Sequence, residues 1–306
     1  MSCRAGADAT AHNNVTSLHL ACRAGHEEVA RLLLDAGADA AAKTRKSCTA
    51  LGMAAEGGHV RVVSALLTHG LGGMDSDDGA DGFDGGADAE GDGGGGHAIG
   101  GGSDGTSFDL RAGSYEPAAC STLNTGDAYG CKPLLLAAAC GSVETVLVLL
   151  KHGATVDGRD NNDRTALIRC AYDGFVDVAT TLIEASADVN AFDKIGNTAL
   201  NSASGYGHTN TVTALLDAGA DINGIRTTDR RTPLMRSCLF GHHATARELL
   251  ARGAARDLRD VDGHTAGDIL LDEARKTRGG GGGADGAGVE AREALFRELG
   301  LPVVLE

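Results

Sequence analysis

The chain has 306 residues, of which 42% are hydrophobic but only 3% aromatic, and it lacks tryptophan. Leucine, valine and alanine must therefore fill the core, which suits stacked short helices. The formal net charge of −15 argues against a general nucleic-acid or anionic-membrane binder, because neutralising phosphates needs a basic stripe that this sequence lacks. Since no segment has the apolar run of a signal peptide or a membrane span, we expect a cytoplasmic or nuclear protein with no membrane insertion.

A threonine followed two residues later by leucine recurs along the chain and marks the phase of a repeat. The marker position is occupied by Thr16, Thr49, Lys132, Thr165, Thr198, Thr232 and, in a last degenerate unit, Thr265. Successive markers are 33 or 34 residues apart, except for one gap of 83 residues. The sequence therefore predicts six complete units, interrupted once by an insertion of about fifty residues.

Each unit predicts two short helices joined by a tight turn. The marker threonine suits the N-cap of a first helix, and Pro133 and Pro233 follow it where the first helical turn tolerates a missing N–H. A glycine stands nine residues after every complete marker, as Gly25 does, and predicts a left-handed end to that helix. An aliphatic pair such as Leu33-Leu34 gives the second helix its apolar side.

These motifs resemble the ankyrin repeat, whose pattern the first unit follows from Val15 to Asp39. The resemblance covers residues 1–72 and about 123–278. It implies an all-α repeat solenoid of six ankyrin-type helix–turn–helix repeats with β-hairpin fingers, plus a degenerate C-terminal capping repeat. It also implies a scaffold or adaptor that binds proteins and is not an enzyme.

The family pattern is broken at several finger positions. The glycine that normally precedes the marker by two residues is replaced by Asn14 and Asp163, which tolerate a positive φ, and by Ser47 and Arg230, which do so less easily. We therefore expect the fingers before repeats two and six to be shaped differently. Only repeat one keeps the histidine of the pattern, His19, so the threonine–histidine bond usual in the family should be confined to it.

Composition divides the chain into four segments: repeats one and two (1–72), an insertion (73–122), repeats three to six with the start of the cap (123–278), and a glycine-rich loop with a capping helix (279–306). The insertion holds eleven acidic residues and one basic residue, a net charge of −10, and few apolar residues. Such a segment is predicted to be disordered.

No metal, cofactor or catalytic site is predicted. The acidic run at Asp77, Asp81, Asp84 and Asp88 lacks the closing glutamate and the flanking helices of a calcium loop. The eight cysteines form no Cys-x-x-Cys pair, and several, Cys22 among them, share repeat positions where small buried residues belong. The recurring histidines follow the repeat and lack a neighbouring nucleophile.

Partner contacts in this family are made by the finger tips and the exposed end of each first helix. Tyrosine, phenylalanine and arginine, which often anchor interfaces, are concentrated there in repeats three to six. The predicted partner-binding residues are Tyr129, Arg164, Tyr172, Lys194, Ile195, Tyr206, Arg231, Leu239 and Phe240. The alternative interpretation is that these side chains pack between adjacent repeats.

Two further interpretations stay open. Residues 4–8 look like the tail of a preceding unit, so the chain could be a regulatory fragment of a larger signalling, channel or ubiquitin-ligase protein. Asn190 and Asn223 lie in finger segments of the kind that are hydroxylated in the family, so the array could be a substrate for that modification. The expected partners are one or more proteins, and the chain itself is expected to be a monomer.

Overall fold

The computed structural model describes residue 10 and residues 12–69, 122–279 and 286–300, which form an all-α repeat solenoid as predicted. After a 3-10 turn at His12–Asn14, fourteen helices follow in the described residues. They are α1 (Ser17–Ala24), α2 (Glu27–Asp35), α3 (Ala50–Glu56), α4 (Val60–Thr68), α5 (Pro133–Cys140), α6 (Val143–Lys151), α7 (Ala166–Asp173), α8 (Val176–Glu184), α9 (Ala199–Tyr206), α10 (Thr209–Asp217), α11 (Pro233–Leu239), α12 (His243–Ala251), α13 (Ala266–Gly279) and α14 (Gly286–Glu298).

The first helix of each pair begins where the marker predicts. Thr16, Thr49, Thr165, Thr198 and Thr232 all accept a hydrogen bond from a backbone N–H in the first turn. Lys132 makes no such bond, and Pro133 follows it at the start of α5. In repeat one, Oγ1 of Thr16 also lies 2.8 Å from Nδ1 of His19, which confirms the expected threonine–histidine contact.

The glycine that ends each first helix also makes room for the next repeat. Gly25 has a φ of +75°, and a Cβ atom placed there would lie 2.6 Å from Nδ1 of His59. The His59 ring instead lies against the helix end, with Nε2 3.1 Å from the carbonyl oxygen of Arg23. The recurring histidine therefore joins neighbouring repeats.

Successive helix pairs stack into two layers, with the first helices in one layer and the second helices in the other. Leucines that are almost completely buried, such as Leu18, Leu149 and Leu215, recur through the common core. Repeats two and three stack directly although the insertion separates them in sequence, since Sγ of Cys140 donates to the carbonyl of Ala55 at 3.5 Å. The predicted disordered segment, residues 73–122, lies outside the described residues except for Thr122, which is buried, and the weak calcium motif and residues 4–8 also lie outside them.

The fingers are tight turns with isolated bridges, such as Lys43 with Thr49, rather than continuous strands, because each arm is only a few residues long. An aspartate five residues before the marker closes most of them: Oδ1 of Asp160 accepts from the N–H groups of Asn162 (2.8 Å) and Arg164 (2.9 Å). The same role is taken by Asp127, Asp193 and Asp260.

The expectation of an unusual finger before repeat two was wrong. Ser47 adopts a φ of +57°, and its N–H donates to the carbonyl of Thr44 at 2.8 Å, as in the regular fingers. Thr44 also accepts from the N–H of Cys48 through Oγ1 at 3.2 Å, so it substitutes for the aspartate.

The finger before repeat six does differ, as expected. Its spacing is 34 residues instead of 33, and the N–H of Arg230 donates four residues back, to Arg226, instead of three. Elsewhere one backbone bond joins each finger to the next, for example from Lys194 to Asn162 at 3.0 Å. Within the described residues, no such backbone bond joins Ile195 to the next finger, although Thr227 packs directly against Gly196 there.

The C-terminal pair, α13 and α14, covers the end of the stack. Helix α13 packs on α11, and α14 packs on α12. Leu295 and Phe296 of α14 are buried in the core, and Glu298 pairs with Arg247 at 3.0 Å. This is the placement that a capping unit requires, because the last repeat would otherwise expose its apolar side.

Candidate partner-binding surface

Several exposed apolar residues of repeats three to six lie on the face made by the finger tips and the first helices, which we call the concave face, while Leu147 is exposed on the second helix α6. Five of the predicted contact residues are between 40% and 63% exposed there: Tyr129, Tyr172, Ile195, Tyr206 and Phe240. Side chains this large and this exposed contribute little to the core, so the structure leaves them available to a ligand.

A pocket of about 290 Å³ opens on this face between repeats four, five and six. Tyr172 and Tyr206 form one wall, with ring centroids 4.2 Å apart and planes tilted by 52°. A hydrogen bond between the Tyr206 and Tyr172 side chains stabilises the protonated form of Tyr206 and is the main cause that raises its pKa. Ile195 lines the pocket from the finger.

Three arginines that were not predicted also line the pocket: Arg169, Arg226 and Arg236. Arg236 is 8% exposed, and its Nε donates to the carbonyl oxygen of Asn201 at 3.1 Å. Its guanidinium carbon lies 5.6 Å from the Phe240 ring centroid. Burial is the main cause that lowers the pKa of Arg236. In the described residues, no carboxylate forms an ion pair with this guanidinium.

The other arginines near the pocket have acidic partners. Arg164 lies 2.7 Å from Asp160, and Arg226 lies 3.4 Å from Asp229. Arg231 lies 3.3 Å from the buried carboxylate of Asp260. The side chains of Arg164 and Arg231, predicted as partner contacts, are thus partly engaged in holding the fingers.

The predicted residues do not all share one place. Arg164, Tyr172, Ile195 and Tyr206 line the pocket. Tyr129, Lys194, Arg231 and Phe240 lie elsewhere on the concave face, and Leu239 is half-buried against the core. Leu239 occupies the last turn of α11, where the core covers part of its side chain.

The arginines that the sequence analysis missed had a recognisable signal. Arg169, Ser202 and Arg236 stand four residues after their markers and line the pocket together. Tyr206 and Phe240 stand eight residues after their markers, about one helical turn beyond this position. Side chains four and eight residues after a marker therefore lie on the same side of the helix. The sequence prediction covered the finger tips and the exposed end of each first helix, and the position four residues after the marker belongs to neither.

Several of the chemistry-bearing side chains in the described residues have structural roles. Nε2 of His208 lies 3.1 Å from the carbonyl of Tyr172, between repeats four and five, as Nε2 of His59 lies near the carbonyl of Arg23 between repeats one and two. Burial raises the pKa of Cys22 and of Cys238 to about 12, as expected for packed thiols. Their protonated state at neutral pH is that of core residues, not of nucleophiles.

One group of possible metal ligands lies in the described residues, at Asp260, Asp262 and His264. Oδ1 of Asp260 already accepts from the N–H groups of Asp262 (3.0 Å) and His264 (2.9 Å). Oδ2 of the same carboxylate faces Arg231 at 3.3 Å. The group is therefore the closing turn of a finger.

Asn190 and Asn223 bridge neighbouring repeats. Oδ1 of Asn190 accepts from the N–H of Asp221 at 2.8 Å, and Oδ1 of Asn223 accepts from the N–H of Ala255 at 2.9 Å. Both side chains thus contribute to the stacking of the fingers.

In the described part of the chain, no helix is both long enough and apolar enough to cross a membrane.

The comparisons with known proteins agree with this architecture. A comparison with curated protein sequences gave no match. The crystal structure of the human ASB11 ankyrin repeat domain aligns with a TM-score of 0.62 at 20% identity, covering 88% of this chain and 100% of that one, which shows a shared fold. The family model for ankyrin repeats (3 copies) matches residues 1–79, 112–193, 157–226 and 186–262. Because these matches extend over more than half of its length, the chain belongs to the ankyrin repeat family.

Proposed function

We propose that this chain is a non-catalytic scaffold or adaptor that holds a partner protein on its concave face. Ankyrin repeats are generally protein–protein interaction modules. The observation that supports a specific surface is the group of exposed side chains on that one face, which we call the cluster: Tyr172, Ile195 and Tyr206 at the pocket, with Tyr129 and Phe240 elsewhere on the same face. Aromatic residues are enriched at interface centres, and exposed apolar patches mark interaction sites.

The cluster also has the charge pattern of an interface. Arg169 lies 5.9 Å from the Tyr172 ring and Arg236 lies 5.6 Å from the Phe240 ring, so each guanidinium is held over an aromatic face. Such pairs keep long arginine side chains ordered before binding, which reduces the entropy lost on association.

A paired set of variants tests this function. The change of Tyr172, Tyr206 and Phe240 to alanine removes the centre of the cluster. The matched control changes Val29, Leu32 and Leu147 to alanine, since these side chains are also exposed but lie on the second helices α2 and α6. Both variants are compared with the unchanged full chain by affinity capture from cell extract with quantitative mass spectrometry, and their helicity is measured by circular dichroism.

We expect the concave-face variant to lose specific partners while its helicity stays unchanged, and the control to keep those partners. If the concave-face variant unfolds, the side chains pack between repeats instead. If both variants capture the same partners as the unchanged chain, the partner surface lies elsewhere.

A further inference from the structure

In the pocket on the concave face, Arg236 is a positive charge that no carboxylate of the described residues pairs with directly, although Asp193 also lines the pocket. Arg236 is buried, and its Nε is bonded to a backbone carbonyl, not to a carboxylate. Arg226, beside it, has Asp229 at 3.4 Å, and Arg169 has Asp173 at 3.9 Å. Burying an unpaired charge is unfavourable, so an incoming carboxylate would supply a partner that the fold does not provide.

We propose that this pocket takes one aspartate or glutamate side chain, next to an apolar residue, from an extended segment of the partner protein. The proposal rests on the proposed function, since it names what the concave face recognises. A carboxylate binds a guanidinium through charge-assisted hydrogen bonds, for which arginine is the preferred donor.

The size and walls of the pocket fit such an occupant. Its volume of about 290 Å³ accommodates one or two side chains. Tyr172, Tyr206 and Ile195 offer apolar surface to the stem of the acidic residue and to its neighbour.

The surrounding acids limit the charge that can enter. Asp193 lines the pocket, and Asp160, Asp173 and Asp229 pair with the arginines around it. A ligand with many negative charges, such as a nucleic acid, would be repelled by these carboxylates. A single carboxylate on a peptide is the anion that this arrangement favours.

The test starts from random twelve-residue peptides displayed on phage and selected on the full chain. We expect the enriched peptides to share one aspartate or glutamate beside an apolar residue. In a synthetic peptide of that sequence, exchange of the acid for its amide should weaken binding to the full chain at least about tenfold by isothermal titration calorimetry. This exchange needs no variant protein, so the proposal stays testable if an Arg236 variant fails to fold.

The protein-side test uses Arg236→Gln, with its thermal midpoint measured alongside. This substitution should weaken the binding of the acidic peptide by about the same factor and leave the affinity of the amide peptide unchanged. The reason is that the protein substitution and the peptide exchange each remove the same contact, between Arg236 and the carboxylate. The control Arg61→Gln makes the same change of charge on α4, at an exposed residue outside the concave face, and should bind as the unchanged chain does.

Several results would overturn the proposal. The first is a selection without an acidic consensus, and the second is an amide peptide that binds as tightly as the acidic one. The third is a synthetic peptide of residues 73–122 that binds more tightly than the selected peptides. The fourth is binding that becomes at least about tenfold tighter when phosphoserine replaces the acid. The wider proposed function fails separately, if the Tyr172, Tyr206 and Phe240 variant still captures the partner.

Discussion

Gly207 is the position where the contact between neighbouring repeats can be measured most directly. It ends α9 with a φ of +77°, and a Cβ atom there would lie 2.6 Å from Nδ1 of His242. Gly219, at the end of the same repeat, has a φ of +87° but no atom within 4 Å of a Cβ. An alanine at either position adopts a left-handed conformation that costs about 1–2 kcal/mol. Only Gly207→Ala also displaces His242, whose Nε2 lies 3.1 Å from the carbonyl of Gly205. Loss of that hydrogen bond costs about 0.5–1.5 kcal/mol more.

We therefore expect Gly207→Ala to lower the free energy of unfolding by about 2–3 kcal/mol, and Gly219→Ala by about 1–2 kcal/mol. Urea unfolding followed by circular dichroism at one temperature measures both. A His242→Ala background provides the internal control, because there the two glycine substitutions should cost the same. Equal losses in the unchanged background, or an unchanged difference in the His242→Ala background, would refute the role assigned to the histidine.

Two further predictions concern titratable side chains. Burial is the main cause that lowers the pKa of His19, so the unfolded chain binds that proton more tightly and stability should fall as the pH drops below about 6.5. The variant His19→Asn copies Asn201, which occupies the same repeat position. Its thermal midpoint should decrease less between pH 7.5 and pH 5 than that of the unchanged chain, and equal decreases would contradict this. Because burial raises the pKa of Cys22 and Cys238 to about 12, these thiols should react with Ellman's reagent at pH 8 far more slowly than the exposed Cys140, and equal rates would show that they are accessible.

The helix pairs could be predicted from the sequence because each boundary depends on one local residue. Thr165 caps α7 through its own hydroxyl group, and Gly174 ends that helix with a φ of +80°. Such signals recur in most units, so a single period also locates the first helix of repeat three, where Lys132 makes no capping bond. The finger before repeat two escaped prediction because Thr44, not Ser47, determines its shape, and threonine replaces an aspartate whose role had not been recognised.

The pocket was only partly predictable, because it depends on how three repeats are aligned with one another. Tyr172 and Tyr206 were found from their positions within single units, but nothing local shows that their rings approach to 4.2 Å. Asn201 illustrates the same limit, since its Nδ2 bonds both Thr198 (3.3 Å) and Gly224 (3.0 Å), as His19 does with Thr16 and Ala42 in repeat one. Position in the repeat, rather than residue type, predicts that role.

The one additional residue in the finger before repeat six changes what a long ligand encounters. A segment that follows the finger tips finds the same spacing from repeat to repeat as far as Ile195, and beyond it the spacing shifts. A partner that carries two binding segments, one on each side of this shift, needs a linker whose length matches it. Discrimination between partners then depends on linker length as well as on contacts, because a linker that cannot span the two sites loses the gain of binding both.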